Sequence, residues 1–323
     1  MNIRIFITGG TGSFGRALLR YWIKQHSMGA SAPLVTVLSR SPQAFLEQFP
    51  EFQEQPWLSF HLGNILECET LPKGEAFTYV LHAAADSTLE SQLVPLNRYD
   101  QIVNGTRNVL EFAIASGVER FLFISSGGVY GKQPINFEGI PESYHGIPDL
   151  LHSSNGYSMA KRTAEHLCAL YHAQYKIEIV IARCFTFVGR DFPLSVHFAI
   201  GNFIRDALWR DEIVVEGDGT AVRSYLDQSD LAEWLLALMK KGKAGNAFNV
   251  GSDKAITIAE LAFLVRDLIA PNKRVRVLGG ATINGERSYY VPDITQAKEE
   301  LGLAVNISLE DAIRNTAEAV SKI

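Results

Sequence analysis

The chain opens with a short apolar run, Ile3 to Thr8, bounded by glycines, and apolar positions then recur at helical spacing from Gly15 to Lys24. This pattern predicts a buried strand, a turn and a helix. The alternation continues with apolar runs at Leu34–Leu38, Leu58–Leu62, Tyr79–Ala85, Arg120–Ser125 and Glu178–Arg183, and with helical periodicity at Tyr99–Ser116 and Tyr157–Tyr171. Strands alternating with helices predict an α/β fold of the Rossmann type, a doubly wound parallel sheet with helices on both faces. After Arg183 the rhythm changes to Phe-, Gly-, Pro- and Asp-rich stretches with helices predicted at Phe198–Trp209 and Asp230–Lys240. Ala247–Val250 reads as a strand returning to the main sheet, and Thr257–Ile269 and Leu309–Val320 read as amphipathic helices. The expected organisation is a dinucleotide-binding domain over residues 1–183, with a return segment near 225–250, and a smaller C-terminal substrate-binding lobe over 184–323.

Composition narrows the class. Hydrophobic residues make up 47% and charged residues 20% of the 323 positions, a globular balance without room for long disorder. A formal net charge of -5 gives no basic footprint, so neither nucleic acid nor a membrane surface is an expected partner. Cys68, Cys168 and Cys184 are odd in number and far apart, which argues against a disulfide framework and a zinc site and for a reducing, cytoplasmic setting. The first residues are too short an apolar run for a signal peptide, and no stretch approaches the roughly 18 apolar residues of a membrane helix. The eight histidines are scattered, so no metal site is expected. His145, His152, Glu142 and Asp149 precede Tyr157 in a polar loop and read as solvated. The run Lys240-Lys241-Gly242-Lys243 ends a predicted helix, where cations complement the dipole.

Thr8-Gly9-Gly10-Thr11-Gly12-Ser13-Phe14-Gly15 lies between strand and helix, the context that makes a glycine pattern a dinucleotide motif. Gly9 would allow the sharp turn, Gly12 the approach of backbone NH groups to a pyrophosphate, and Gly15 close packing of helix on strand. At the end of the second strand an NAD enzyme would carry an acid for the ribose, whereas here stand Ser39 and Arg40. A hydroxyl and a guanidinium suit a 2′-phosphate, so NADP(H) is favoured and NAD(H) remains possible. Asn64, after the third strand, is a candidate for the adenine edge.

Tyr157 and Lys161 stand four apart, so on a helix they share a face. A tyrosine with an ordinary pKa near ~10 becomes a workable proton carrier beside an ammonium, which stabilises the phenolate. About 30 residues upstream, the apolar strand Phe121 to Ser125 ends in Ser126-Gly127-Gly128. Parallel sheets bind ligands at the carboxyl ends of their strands, which puts Ser126 with Tyr157 and Lys161 as the catalytic candidates.

With these pieces in hand the chain resembles an extended short-chain dehydrogenase/reductase of the nucleotide-sugar epimerase, dehydratase and reductase family. The resemblance is carried by the TGGTGSFG turn, His82-Ala83-Ala84-Ala85, Asn104-Gly105-Thr106-Arg107-Asn108, SSGGVYG, YSMAK and Gly217 to Tyr225. It implies that Lys161 also holds the nicotinamide ribose, that Ser13, Phe14, Ile65, Ala83, Ala84, Ala85 and Asn104 join the cofactor set, and that Arg223 contacts the substrate diphosphate. Asn202 and Arg287 are further carry-overs to the substrate, with Ser126. A nucleotide-sugar substrate and a homodimer through the helices at Tyr99–Ser116 and Tyr157–Tyr171 are likewise implied. Family members that dehydrate a hexose carry an Asp-Glu pair where this chain has Gly127 and Gly128, so 4,6-dehydration is disfavoured. Arg190 replaces a usual proline and either touches substrate phosphate or marks a different loop. The first expectation is therefore reduction of a nucleotide 4-keto-6-deoxyhexose, the second a 4-epimerase that retains its cofactor. A non-catalytic redox-sensing module is the third; the joint presence of Tyr157 and Lys161 counts against it.

Overall fold

The computed structural model describes residues 3–85, 94–195, 198–279 and 288–322. Two compact units emerge, one formed by residues up to Val129 with Ile147–Arg183 and Ala232–Phe248, the other by Tyr130–Gly146, Cys184–Leu231 and the chain from Asn249 onward.

The first unit is built on a seven-stranded sheet. Its strands are β1 (Arg4–Thr8), β2 (Leu34–Ser39), β3 (Leu58–Leu62), β4 (Tyr79–His82), β5 (Arg120–Ser126), β6 (Glu178–Cys184) and β11 (Ala247–Val250), in the order β11-β6-β5-β4-β1-β2-β3. The pairs β1–β2, β1–β4, β2–β3 and β4–β5 are parallel. Ile5, Phe6 and Ile7 are wholly buried, as an interior strand covered on both faces must be. Phe6 meets Phe77 and Phe112 at 5.2 and 4.7 Å between ring centroids. Helices α1 (Ser13–Ser27), α2 (Pro42–Gln48), α3 (Pro95–Ala115) and α4 (Gly156–Tyr175) complete the winding. The strand order reverses direction at β1, so the crevice predicted for a ligand lies beyond the carboxyl ends of β1 and β4, where Thr8 pairs with His82.

The expected strand Tyr79–Ala85 ends earlier, at His82. There the backbone of Ala83 and Ala84 turns against Gly9, with Ala83 N donating to Thr8 O at 3.0 Å and Ala84 N to Thr8 Oγ1 at 3.4 Å. Helix α3 starts before the expected Tyr99, at Pro95, a residue whose fixed φ suits a first helical turn.

The second unit has its own apolar cluster, in which α5 (Ala199–Trp209), α7 (Ile258–Ile269) and α9 (Leu309–Val320) contribute Phe203, Ile204, Leu261, Val265, Ile313 and Ala317. Short strands unforeseen in the sequence accompany them: β8 (Glu212–Val215) runs parallel to β13 (Arg274–Val277), and β9 (Val222–Arg223) lies between β12 (Ile256–Thr257) and β14 (Tyr289–Tyr290). Such two- and four-residue pieces are too short to print a period. Helix α7 begins with a capping box, Thr257 and Glu260 each satisfying the other's backbone NH, and at α9 the Ser308 side chain accepts from Asp311 N as a simple cap. Between α5 and α9 run β9, β10 (Leu226–Asp227) and α6 (Gln228–Lys241), and α8 (Thr295–Leu301) precedes α9.

Candidate active site

The turn after β1 is shaped by close backbone approaches. Gly9 has φ +73°, and a Cβ there would sit 2.6 Å from the carbonyl carbon of Ala83 and from Ala84 N. Both the conformation and the space require glycine. Gly15 is held by contact too: a Cβ would meet Gly10 Cα at 2.2 Å, so the helix packs on the turn itself rather than on the strand as expected. Gly12, in contrast, is exposed and would bring its Cβ only to 3.3 Å from Gly9 O. It precedes α1 as a cap without a side-chain hydrogen bond among the described residues. The N-terminus of α1 at this exposed glycine is the end that favours an anion, and the turn fits a dinucleotide pyrophosphate.

Directly beneath lies a buried polar chain absent from the sequence-level expectation. His82 Nδ1 is 2.6 Å from Thr8 Oγ1 and its Nε2 is 3.0 Å from Thr106 Oγ1, which ties β1, β4 and α3 together. Burial, and then the nearby Lys161 charge, push the imidazole down to about 3. A neutral ring with one nitrogen donating and the other accepting satisfies both hydroxyls.

Helix α4 carries Tyr157, Lys161 and Glu165 at successive four-residue steps, one stripe of the helix. Lys161 is 2% exposed. Its ammonium donates to Ile124 O at 2.7 Å and lies 4.8 Å from the Phe123 ring and 6.0 Å from the Tyr157 ring. Ile124 is two residues before Ser126 on β5, so the lysine is moored to the strand whose end carries the serine. Ser126 Oγ accepts from Gly128 N at 3.1 Å, a bond that does not spend its own proton. Ser125 points the other way and donates to Glu165 at 2.6 Å. Arg183 on β6 grips the same carboxylate with contacts of 2.8, 3.1 and 3.3 Å. Burial, with the Glu165 charge adding to it, pushes the Cys168 thiol up, which leaves it an inert core residue.

The remaining expected residues are placed as follows. Ala84 and Ala85 pack on the apolar cluster of the sheet. Ile65 is buried against Gly105 of α3, while Asn104 stands on the exposed side of that helix. Both ends of the Asn64 amide are used within its own loop, Oδ1 accepting from Leu66 N and Nδ2 donating to Glu67. Ser13 and Phe14 are half-buried in the first turn of α1. Ser39 is buried and accepts from Ser41 N, and Arg40 is exposed. In the second unit Arg223 donates to Val222 O, Ser288 O and Ser288 Oγ, and Asn202 accepts from Arg205. Arg287 lies outside the described residues. Arg190 lines a surface pocket with Asn315, Glu318, Ala319 and Lys322, which favours the reading of a differently built loop. No cluster of potential metal ligands occurs among the described residues, and no described helix is long and apolar enough to cross a membrane.

His82, Thr106, Glu165 and Arg183 were missed. The available signals were a polar residue closing an apolar strand, as at His82, and the third step of the Tyr157, Lys161, Glu165 spacing.

Comparison with known proteins adds the following. Residues 5–251 match the model of the NAD dependent epimerase/dehydratase family. UDP-glucuronic acid decarboxylase 3 of Arabidopsis thaliana is 33% identical over 313 residues, 97% of this chain and 87% of that protein. UDP-glucuronic acid decarboxylases 2 and 4 of that plant are longer, and the chain spans 67% of the length of each. Among solved structures, UDP-glucose 4-epimerase of Thermotoga maritima with UDP-glucose superposes with a TM-score of 0.82 at 25% identity, covering 99% of both chains. The dTDP-glucose 4,6-dehydratase DesIV of Streptomyces venezuelae, with NAD bound, shares the fold with a TM-score of 0.83 at 23% identity, covering 99% and 97%.

Two outcomes follow from the buried groups. Unfolded, His82 protonates near 6.5; folded, it does so only near 3. In that window the unfolded chain binds the extra proton, so this contribution is complete above pH 6.5 and is lost as pH falls, by at most about 1.4 kcal/mol per pH unit. Urea unfolding at pH 7 and pH 5 should show a stability loss that His82→Gln lessens. Removing one member of the Glu165–Arg183 pair strands a buried charge, so Arg183→Leu should cost roughly 3 kcal/mol by the same measurement, and Glu165→Leu in addition should return part of it.

Proposed function

The chain belongs to the NAD-dependent epimerase/dehydratase family, and on that premise we propose that it reduces the carbonyl at C4 of a nucleotide-activated 4-keto-6-deoxyhexose. The observation that carries this reading is the mooring of the buried Lys161 ammonium to β5, 6.0 Å from the Tyr157 ring, beside a strand end whose next residues, Gly127 and Gly128, bear no acid or base. Proton transfer to an oxygen is supported; an elimination needing two further titratable groups at those positions is not.

A bound dinucleotide would supply hydride to the carbonyl carbon. Tyr157 delivers the proton to the carbonyl oxygen, Lys161 stabilises the phenolate left behind, and Ser126 donates a hydrogen bond to the same oxygen, keeping its own proton, and orients it. Gly9, Gly12, Ser13, Phe14 and Gly15 hold the pyrophosphate, and Ala83, Ala84 and Ala85 line the dinucleotide. Arg223 and Asn202, in the unit from Cys184 onward, serve the sugar nucleotide. Ser39 being buried, the preference for NADP(H) over NAD(H) rests on Arg40; the family description and the NAD-bound neighbour keep NAD as the alternative. Pairing into a homodimer through α3 and α4 belongs to the same proposal, as does a cytoplasmic setting. A second reading, 4-epimerisation with retained cofactor, uses the same three residues and is favoured by the likeness to the Thermotoga epimerase.

Purified protein mixed with a nucleotide 4-keto-6-deoxyhexose and NADPH should consume reduced cofactor in step with sugar, read by absorbance; interconversion of two sugars without added cofactor would establish the epimerase instead. Tyr157→Phe should lower the rate by about 100-fold or more, the usual scale of a lost general acid, with cofactor affinity retained. Arg40→Asp should weaken NADPH binding far more than NADH binding in fluorescence titrations; equal weakening would remove the NADP assignment.

A further inference from the structure

Tyr157 is flanked by more charge than its own helix provides. The Arg98 guanidinium, from the first turn of α3, lies over the Tyr157 ring with its carbon 4.2 Å from the ring centroid. That is closer than the Lys161 ammonium at 6.0 Å. We propose that Arg98 is a positioning residue for Tyr157, fixing the ring by stacking and placing a second positive charge beside the phenol that exchanges the proton.

Guanidinium groups stack on aromatic faces because they are planar and weakly hydrated, and a cation over the ring also favours an anionic oxygen on it. The groups tied to this stretch of α4 come from α4 itself and from α3, β4, β5 and β6. Helix α4 supplies Lys161, Glu165 and Cys168; Glu165 is committed to Ser125 and Arg183, so the carboxylate one turn beyond Lys161 is countered from β5 and β6. From β4 comes His82, held neutral by its burial. Helix α3 supplies Arg98 and also Tyr99, whose hydroxyl is 3.3 Å from Thr163 Oγ1 and helps to lock α3 against α4. Cations from two helices, Arg98 of α3 and Lys161 of α4, thus lie beside the ring, and α3, which holds no member of the Tyr157, Lys161, Ser126 set, acts on the chemistry through Arg98.

This inference rests on the reading of Tyr157 as proton carrier, but its test needs neither substrate nor turnover. With ring-13C-labelled tyrosine, the Tyr157 resonance is assigned by its absence in Tyr157→Phe and followed against pH by NMR in the full-length protein. Arg98→Met should move the Tyr157 titration midpoint upward by about one pH unit, a roughly tenfold loss of acidity, the scale of one close charge. Arg98→Lys, which keeps the charge, should restore at least half of that shift. A midpoint unmoved in Arg98→Met, or moved equally in both variants, overturns the proposal. Failure of Tyr157→Phe to slow turnover would instead remove the proton-carrier reading while leaving the NMR result intact, so the two are told apart.

Discussion

An ammonium taken out of water must find oxygen lone pairs and counter-dipoles, and the burial of Lys161 imposes that demand at the carboxyl edge of the sheet. The carbonyl of Ile124 answers it directly, the Phe123 ring lies under it, and the adjoining imidazole of His82 stays neutral first because it is buried and then because the Lys161 charge would repel a second cation. Glu165, one turn along, is drawn the other way, to Ser125 and Arg183. Each arrangement fixes α4 relative to β5 and thereby fixes Tyr157 relative to Ser126.

The same edge is where the glycine turn must come close to the β4 end. Gly9 against Ala83 and Ala84, and Gly15 against Gly10, leave no space for a side chain, so the turn is held by backbone contacts and cannot easily swell. Thr8, His82 and Thr106 brace it from beneath through hydroxyl-to-imidazole bonds that join two strands and a helix. A rigid cradle at the N-terminus of α1 is preorganised for an anion, and preorganisation is what spares the cost of ordering a loop at binding. The chemistry proposed for Tyr157 depends on this rigidity as much as on its charged neighbours.

The second unit follows a different logic. Its helices α5, α7 and α9 form an ordinary amphipathic core, while the substrate candidates sit on short pieces: Arg223 on the two-residue β9, held by Val222 and Ser288, and Asn202 on α5. Short strands adapt readily to different ligands, in keeping with a family whose relatives act on differing sugar nucleotides. Arg190 lines a surface pocket of that unit together with Asn315 and Glu318.

Local periodicity was enough to foretell the alternation of β1 to β6 with their helices, the glycine turn between β1 and α1, and the shared face of Tyr157 and Lys161, because each depends on residues a few positions apart. The motif around Asn104 gives composition only, and it is the packing of α3 that shows Gly105 and Thr106 turned inward and Asn104 facing out. The His82 bonds to Thr8 and Thr106, the Glu165 clamp by Arg183 and the stacking of Arg98 on Tyr157 join residues from 18 to 74 positions apart. No period or spacing encodes such meetings; they come into being when parallel strands bring distant chain segments to one edge, and that assembly, decided only in three dimensions, is what surrounds the phenol with its charges.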